Sequence, residues 1–197
     1  AVGFALLACV CVMEAPAGRR WRLWLGVAAL CAVLSAGSKQ NLAPILVILP
    51  AYVLIGQGWR RAAAVAAMET VLLALMIGLS VHAFGSDAMV FQMFTIPSRH
   101  PWYFQEYGRI VSLLLASGQL IQDAALPAGI LCFLLFFVTA GPKWNVSGLR
   151  SWAIGQRWFL PLMAAVLLLP SSLIGRAKYG GASNALTPTT YFLVVAL

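Results

Sequence analysis

Ala62-Ala-Ala-Val-Ala-Ala-Met-Glu-Thr-Val-Leu-Leu-Ala-Leu-Met-Ile-Gly-Leu-Ser-Val-His-Ala-Phe84 decides the fold. It runs for about 23 residues, roughly 34 Å as a helix at 1.5 Å per residue, against a hydrocarbon core of about 30 Å. Only Glu69, Thr70, Ser80 and His82 interrupt its apolar character. The rest of the chain has the same composition: 62% hydrophobic, 9% charged, mean hydropathy +0.90. A soluble domain of 197 residues has too little interior to hide that much apolar surface. A membrane barrel would instead show alternating strands of about ten residues, and no such pattern is visible. The sequence predicts an all-α, polytopic membrane helical bundle.

Working outward, Gly56-Gln-Gly-Trp-Arg-Arg61 precedes the span as a cationic turn. Leu42–Ile55 and Leu23–Ala36 are apolar, separated by Gly37-Ser-Lys-Gln-Asn41. One helix over 23–55 would measure about 50 Å, too long for the bilayer core. Two short helices with a polar tip fit better, with Pro44 in the first turn of the second, where its missing N–H costs nothing. Ala1–Met13 reads as the tail of another span, followed by the cationic turn Glu14–Arg22, with Trp21 and Trp24 at interface depth. Downstream, Gly85–Arg109 reads as a polar and aromatic loop containing Ile96-Pro-Ser-Arg-His-Pro-Trp-Tyr-Phe104. Ile110–Gln122 is expected along the interface. Ala124–Ala140 and Trp158–Ile174 are apolar enough to cross, with a third cationic loop, Gly141–Arg157, between them. Ser171-Ser-Leu-Ile-Gly-Arg-Ala-Lys-Tyr-Gly-Gly-Ala-Ser-Asn184 is polar, and a last span starts near Thr189. This gives about six to seven spans, the first and last read as truncated. Residues 1–197 are expected to be a single transmembrane domain cut from a longer chain.

The net charge of +8 and pI near 9.9 would suggest nucleic acid in a soluble protein. Here no basic helix or aromatic-basic sheet face is present, so lysines and arginines are assigned to topology and lipid phosphates, not to nucleic acid. The positive-inside rule puts the loops with Arg19, Arg20, Arg22, Arg60, Arg61, Lys143, Arg150 and Arg157 in the cytoplasm. Alternation then places Ser38–Asn41, Gly85–Arg109 and Arg176–Pro188 on the outer face. Lys39, Arg99, Arg109, Arg176 and Lys178 there contradict the charge bias, and a shared anionic ligand would account for them. Glycines at 180 and 181 let backbone approach such a ligand closely.

Cys9, Cys11, Cys31 and Cys132 each lie in apolar runs, as small hydrophobes, with no CxxC or Cys/His grouping. Neither a disulfide framework nor a metal site is suggested, no cofactor is evident, and a divalent metal at His100 has no partner ligands to support it. Asn145-Val-Ser147 matches a glycosylation sequon but falls on the cytoplasmic side. No feature sets an oligomeric state.

The short hairpin with its Ser38-Lys39-Gln40 tip, followed by Lys178-Tyr-Gly-Gly-Ala-Ser-Asn184, resembles membrane glycosyltransferases of the GT-C superfamily. The nearest types are bacterial relatives of protein mannosyltransferases and of the lipid A aminoarabinose transferase. The resemblance implies transfer of a sugar from a polyprenyl-phosphate donor to a lipid, glycan or protein acceptor at the outer membrane face. It implies an integral protein of a bacterial inner (plasma) membrane, with the carrier lipid as partner. By the same resemblance Lys39 meets the carrier phosphate, Arg99 and His100 belong to an outer loop of the donor site, and the late loop closes over the substrate. The substrate-binding set is therefore Lys39, Gln40, Arg99, His100, Arg176, Lys178, Gly180, Gly181 and Asn184. The family's catalytic acid lies in a first outer loop that nothing here matches, so it is expected upstream of Ala1. Asp87 and Glu106 are the acids in the outer loops of this chain.

Two other classes compete. A transporter of an anionic or lipid-linked substrate would use ionisable groups near the midplane, for which Glu69 is the candidate. A non-catalytic membrane scaffold would need neither.

Overall fold

The computed structural model describes residues 1–15, 20–102, 108–122, 129–130, 146–178 and 185–196. The described residues form helices and no strand. In order these are α1 (Val2–Met13), α2 (Trp21–Ser38), a 3-10 turn (Gln40–Leu42), α3 (Ile45–Gln57), α4 (Trp59–Phe84) and α5 (Ser86–Val90). A π-helical turn (Phe91–Thr95) leads to α6 (Ile96–Arg99), then α7 (Gly108–Gln122), α8 (Val146–Gly155), α9 (Phe159–Arg176) and α10 (Thr187–Ala196).

Among the described residues, four helical stretches are long and apolar enough to cross a membrane: Trp21–Ser38, Gln40–Gln57, Trp59–Phe84 and Phe159–Arg176. The expected hairpin is present as α2 and α3 joined through the 3-10 turn. Pro44 sits just before α3, where its carbonyl accepts from the Ile48 N–H at 3.0 Å. The segment expected to cross at Ala124–Ala140 lies outside the described residues, apart from 129 and 130.

The core lies between α1, α2, α3, α9 and α10. Leu25, Leu42, Ile45, Ile48, Leu49, Leu160, Leu168 and Phe192 are fully buried in it. Small residues let the helices approach: Ala5, Ala8, Cys9, Ala28, Ala29, Ala32 and Ala164 are completely enclosed. Lipid is as apolar as leucine, so close van der Waals packing has to supply the association energy. Hydroxyl pairs add to it, as where Thr189 Oγ1 donates to Ser172 Oγ at 2.9 Å between α10 and α9. The outward surface carries the other large apolar side chains, among them Val71, Leu75, Leu79 and Phe84 on α4.

Two side-chain bonds orient α1 against the hairpin. Ser35 Oγ donates to Ala1 O at 3.1 Å near one end, and Gln57 Nε2 donates to Val12 O at 3.2 Å near the other. α1 and α3 therefore run antiparallel to α2.

At the second of these ends the cationic turns meet. The guanidinium carbons of Arg22 and Arg61 lie 5.5 and 5.2 Å from the Trp21 ring centre. Trp152, Trp158 and Phe159 stack edge to face in series, and Tyr52 lies 6.1 Å from Phe159. Ile154 of α8 closes on Gly56, so α8 also belongs to this end.

The expected loop over Gly85–Arg109 is corrected: residues 86–99 are helical. Gly85, at φ +82°, ends α4, and the helix formers that follow resume the helix in a new direction. The polar and proline content of the stretch hid that helix from the sequence reading. The helix before the late polar stretch is also longer than expected, reaching Arg176 rather than Ile174.

Candidate functional site

The end of the bundle opposite the Trp21 cluster is built by four segments. α2 ends at Lys39, whose φ of −155° and ψ of 112° turn the chain out of the helix. Its N–H still closes on Ser35 O at 3.1 Å. Lys39 is half-buried, and Gln40 is exposed.

Proline chemistry positions the second segment. Pro97 has no N–H for the carbonyl four residues back, that of Met93. The wider π turn over 91–95 lies immediately before it. Gln40 Nε2 donates to Met93 O at 3.1 Å, so the hairpin tip holds the 86–99 stretch across the end of the bundle. Arg99 is the last residue of α6, and both it and His100 are exposed.

The third segment is the end of α9. Arg176 is its last helical residue and is half-buried. Lys178 pairs as an isolated antiparallel bridge with Trp102. Its Nζ donates to Pro97 O at 2.8 Å and stands 5.6 Å from the Trp102 ring centre. The Arg109 guanidinium is 5.7 Å from the same ring. One indole thus holds two cations, each contact worth about 0.5–2 kcal/mol depending on its exposure.

The fourth is the start of α10. Asn41 Nδ2 donates to Ala185 O at 3.1 Å, while Ser171 Oγ donates to Asn41 O at 2.7 Å. The tip is thereby pinned to α9 and to the chain leading into α10. Asn41 Oδ1 is buried with no hydrogen-bond partner.

Lys39, Gln40, Arg99, His100, Arg176 and Lys178 therefore occupy one end of the molecule. Contacts join the Gln40 tip to Met93 and join Lys178 to Pro97. Arg99 and His100 are brought near by the backbone, and their side chains face outward. Gly180, Gly181 and Asn184 lie outside the described residues, as does Glu106. Asp87 is exposed, with Ser86 Oγ donating to its Oδ1 at 3.4 Å. Among the described residues no group of three or more His, Cys, Asp or Glu side chains could hold a metal.

Sequence reasoning passed over four participants: Asn41, Ser171, Trp102 and the Pro97 carbonyl. Ser171 carried a readable signal, because a hydroxyl in an apolar helix needs an acceptor. Trp102 carried none, since an interfacial Trp is the commoner reading.

Two features lie elsewhere. A groove of about 510 Å³ between α2 and α4 is lined by Gly26, Leu30, Ala67, Met68, Val71 and Leu72, in the half of the bundle nearer the Trp21 end. Glu69 is 4% exposed in α4, and its Oε1 has no hydrogen-bond partner.

No protein-family model matches this chain, and neither the curated proteins nor the solved structures contain a match.

Proposed function

We propose that this chain is part of a GT-C-type glycosyltransferase of a bacterial inner membrane. It would transfer a sugar from a polyprenyl-phosphate donor to a lipid, glycan or protein acceptor at the outer face. One observation carries the reading: the Lys39–Asn41 tip, the 86–102 stretch and Lys178 meet at one end of the bundle through Gln40–Met93, Lys178–Pro97 and Asn41–Ala185. The family resemblance assigns the tip to the carrier phosphate, the loop with Arg99 and His100 to the donor site, and the late loop to closing over the substrate. Departure of the sugar leaves negative charge on the carrier phosphate, and cations fixed nearby stabilise that growing charge. Lys39 and Lys178 serve this role, with Arg176 beside them. A carboxylate acting as general base on the acceptor hydroxyl completes the chemistry.

The test is sugar transfer from a polyprenyl-phosphate donor by the full-length protein in vesicles. Lys39→Ala should lower the rate by about a hundredfold, the scale of removing one charge-stabilising group, with insertion unchanged. An unchanged rate removes Lys39 from the site.

Glu69 favours a second reading, transport of an anionic or lipid-linked substrate. A carboxyl enclosed in a span is costly and commonly marks a pathway. Glu69→Gln separates the two: a transferase keeps its rate, whereas a transporter loses substrate uptake.

A further inference from the structure

One ammonium at this end is already engaged by a neutral acceptor. Lys178 Nζ donates to Pro97 O at 2.8 Å. Pro97 lies in the 86–102 stretch, which crosses the end of the bundle from Gly85 to Trp102. Among the described residues, three polar contacts fasten that stretch. Gln40 Nε2 reaches Met93 O, Lys178 reaches Pro97 O, and Lys178 pairs with Trp102 through backbone and ring. At its start Gly85 has φ +82° and open space around it, a joint without side-chain obstruction. Phe91 and Phe94 on the stretch are exposed, while Met93, Ile96 and Pro97 are half-buried.

We propose that Lys178 is a latch that an oxyanion opens. With no anion bound, its ammonium holds the Pro97 carbonyl and keeps residues 86–102 across the site. A phosphate oxygen offers a full negative charge, and such charge-assisted hydrogen bonds are about twice as strong as those to a neutral acceptor. The ammonium changes partner, Pro97 O loses its donor, and the stretch loosens from the bundle beyond Met93, which Gln40 still holds. Anion binding and opening are therefore one linked equilibrium, and opening the stretch raises anion affinity by the same factor. This rests on the reading of Lys178 as a phosphate contact, and extends it to how the site is uncovered.

Released from the bundle, the short helical turns of 86–99 fray, because isolated helices of this length are marginal, and hydrogen exchange of their amides reports the opening without a label. The full chain is placed in phosphatidylcholine nanodiscs, alone, with phosphatidic acid in the bilayer, or with inorganic phosphate in solution. Retention of phosphatidic acid is measured in parallel by native mass spectrometry. In phosphatidylcholine alone, Lys178→Ala should exchange about tenfold faster than the native protein over 86–102, the scale set by one hydrogen bond to a charged group. Phosphatidic acid should bring the native protein to that faster rate. A response to inorganic phosphate alone would assign the anion to a soluble phosphate rather than a lipid headgroup. Lys178→Gln keeps a donor for Pro97 O without the charge, so it should stay slow under every condition.

If Lys178→Ala exchanges no faster yet retains less phosphatidic acid than the native protein, the latch is overturned and the phosphate contact survives. If Lys178→Ala exchanges faster but retains phosphatidic acid as well as the native protein does, the phosphate role of Lys178 fails and the exchange of partners fails with it.

Discussion

Asn41 is the residue on which the tip depends. Its amide nitrogen holds Ala185 O, its carbonyl receives Ser171 Oγ, and its own Oδ1 is buried without a donor. Asn41→Ala loses one hydrogen bond but also removes the orphaned oxygen, so the thermal midpoint should fall only slightly, by the equivalent of about 1 kcal/mol. Asn41→Asp should cost more, about 3 kcal/mol or greater, because a carboxylate cannot donate to Ala185 O and places charge where an oxygen already lacks a partner. Melting both variants in detergent checks the order; equal losses would show that a charge at the Asn41 Oδ1 position costs nothing. The polar character of Gly37–Asn41 is plain in the sequence, whereas the division of labour within it is not. Lys39 and Gln40 look like the functional pair. The structural load falls on their neighbour, whose partners lie 130 and 144 positions away.

Among the elements, the seam of α2 and α4 shows how close packing is set. These helices run in the same direction, with Gly26 facing Met68 and Gly37 facing Met76. A methyl group on Gly37 would come 2.6 Å from Met76 Sδ and 2.9 Å from its Cε. The obstruction is the end of a flexible side chain, so the helices need not separate. Gly37→Ala should cost about 1–2 kcal/mol, and a double-mutant cycle with Met76→Ala should recover at least about 0.5 kcal/mol of coupling. Additive losses would mean that α2 and α4 do not touch there. Helix lengths at this scale were legible because apolar run length measures the bilayer directly. The helix over 86–99 was not legible. Pro97 and the polar residues near it argue for a loop, while the π turn and the Gln40 bond that accommodate them exist only in the folded chain.

At the scale of the whole molecule, the two ends differ in chemistry. One gathers Arg22, Arg61 and the row of Trp and Phe rings; the other gathers the tip, the crossing stretch and Lys178. The charge bias predicts that the first faces the cytoplasm. In intact cells, with Cys132 replaced by serine, an impermeant maleimide should label Ser98→Cys from outside. Trp59→Cys, at the exposed start of α4, should label only after the membrane is opened. The reverse pattern would invert the assigned faces and place the site in the cytoplasm.

By itself the sequence determined the helical class, the membrane-compatible apolar lengths, the hairpin and which segments share an end. Each follows from apolar length, charge placement and alternation, and these are properties of consecutive residues. Only the tertiary structure decided what those polar residues do at that end. Ser171 secures the tip, Trp102 carries two cations, and Lys178 is tied to the Pro97 carbonyl. A hydrogen bond depends on two atoms meeting across many positions in the chain, and on a carbonyl left free because a proline lacks its N–H.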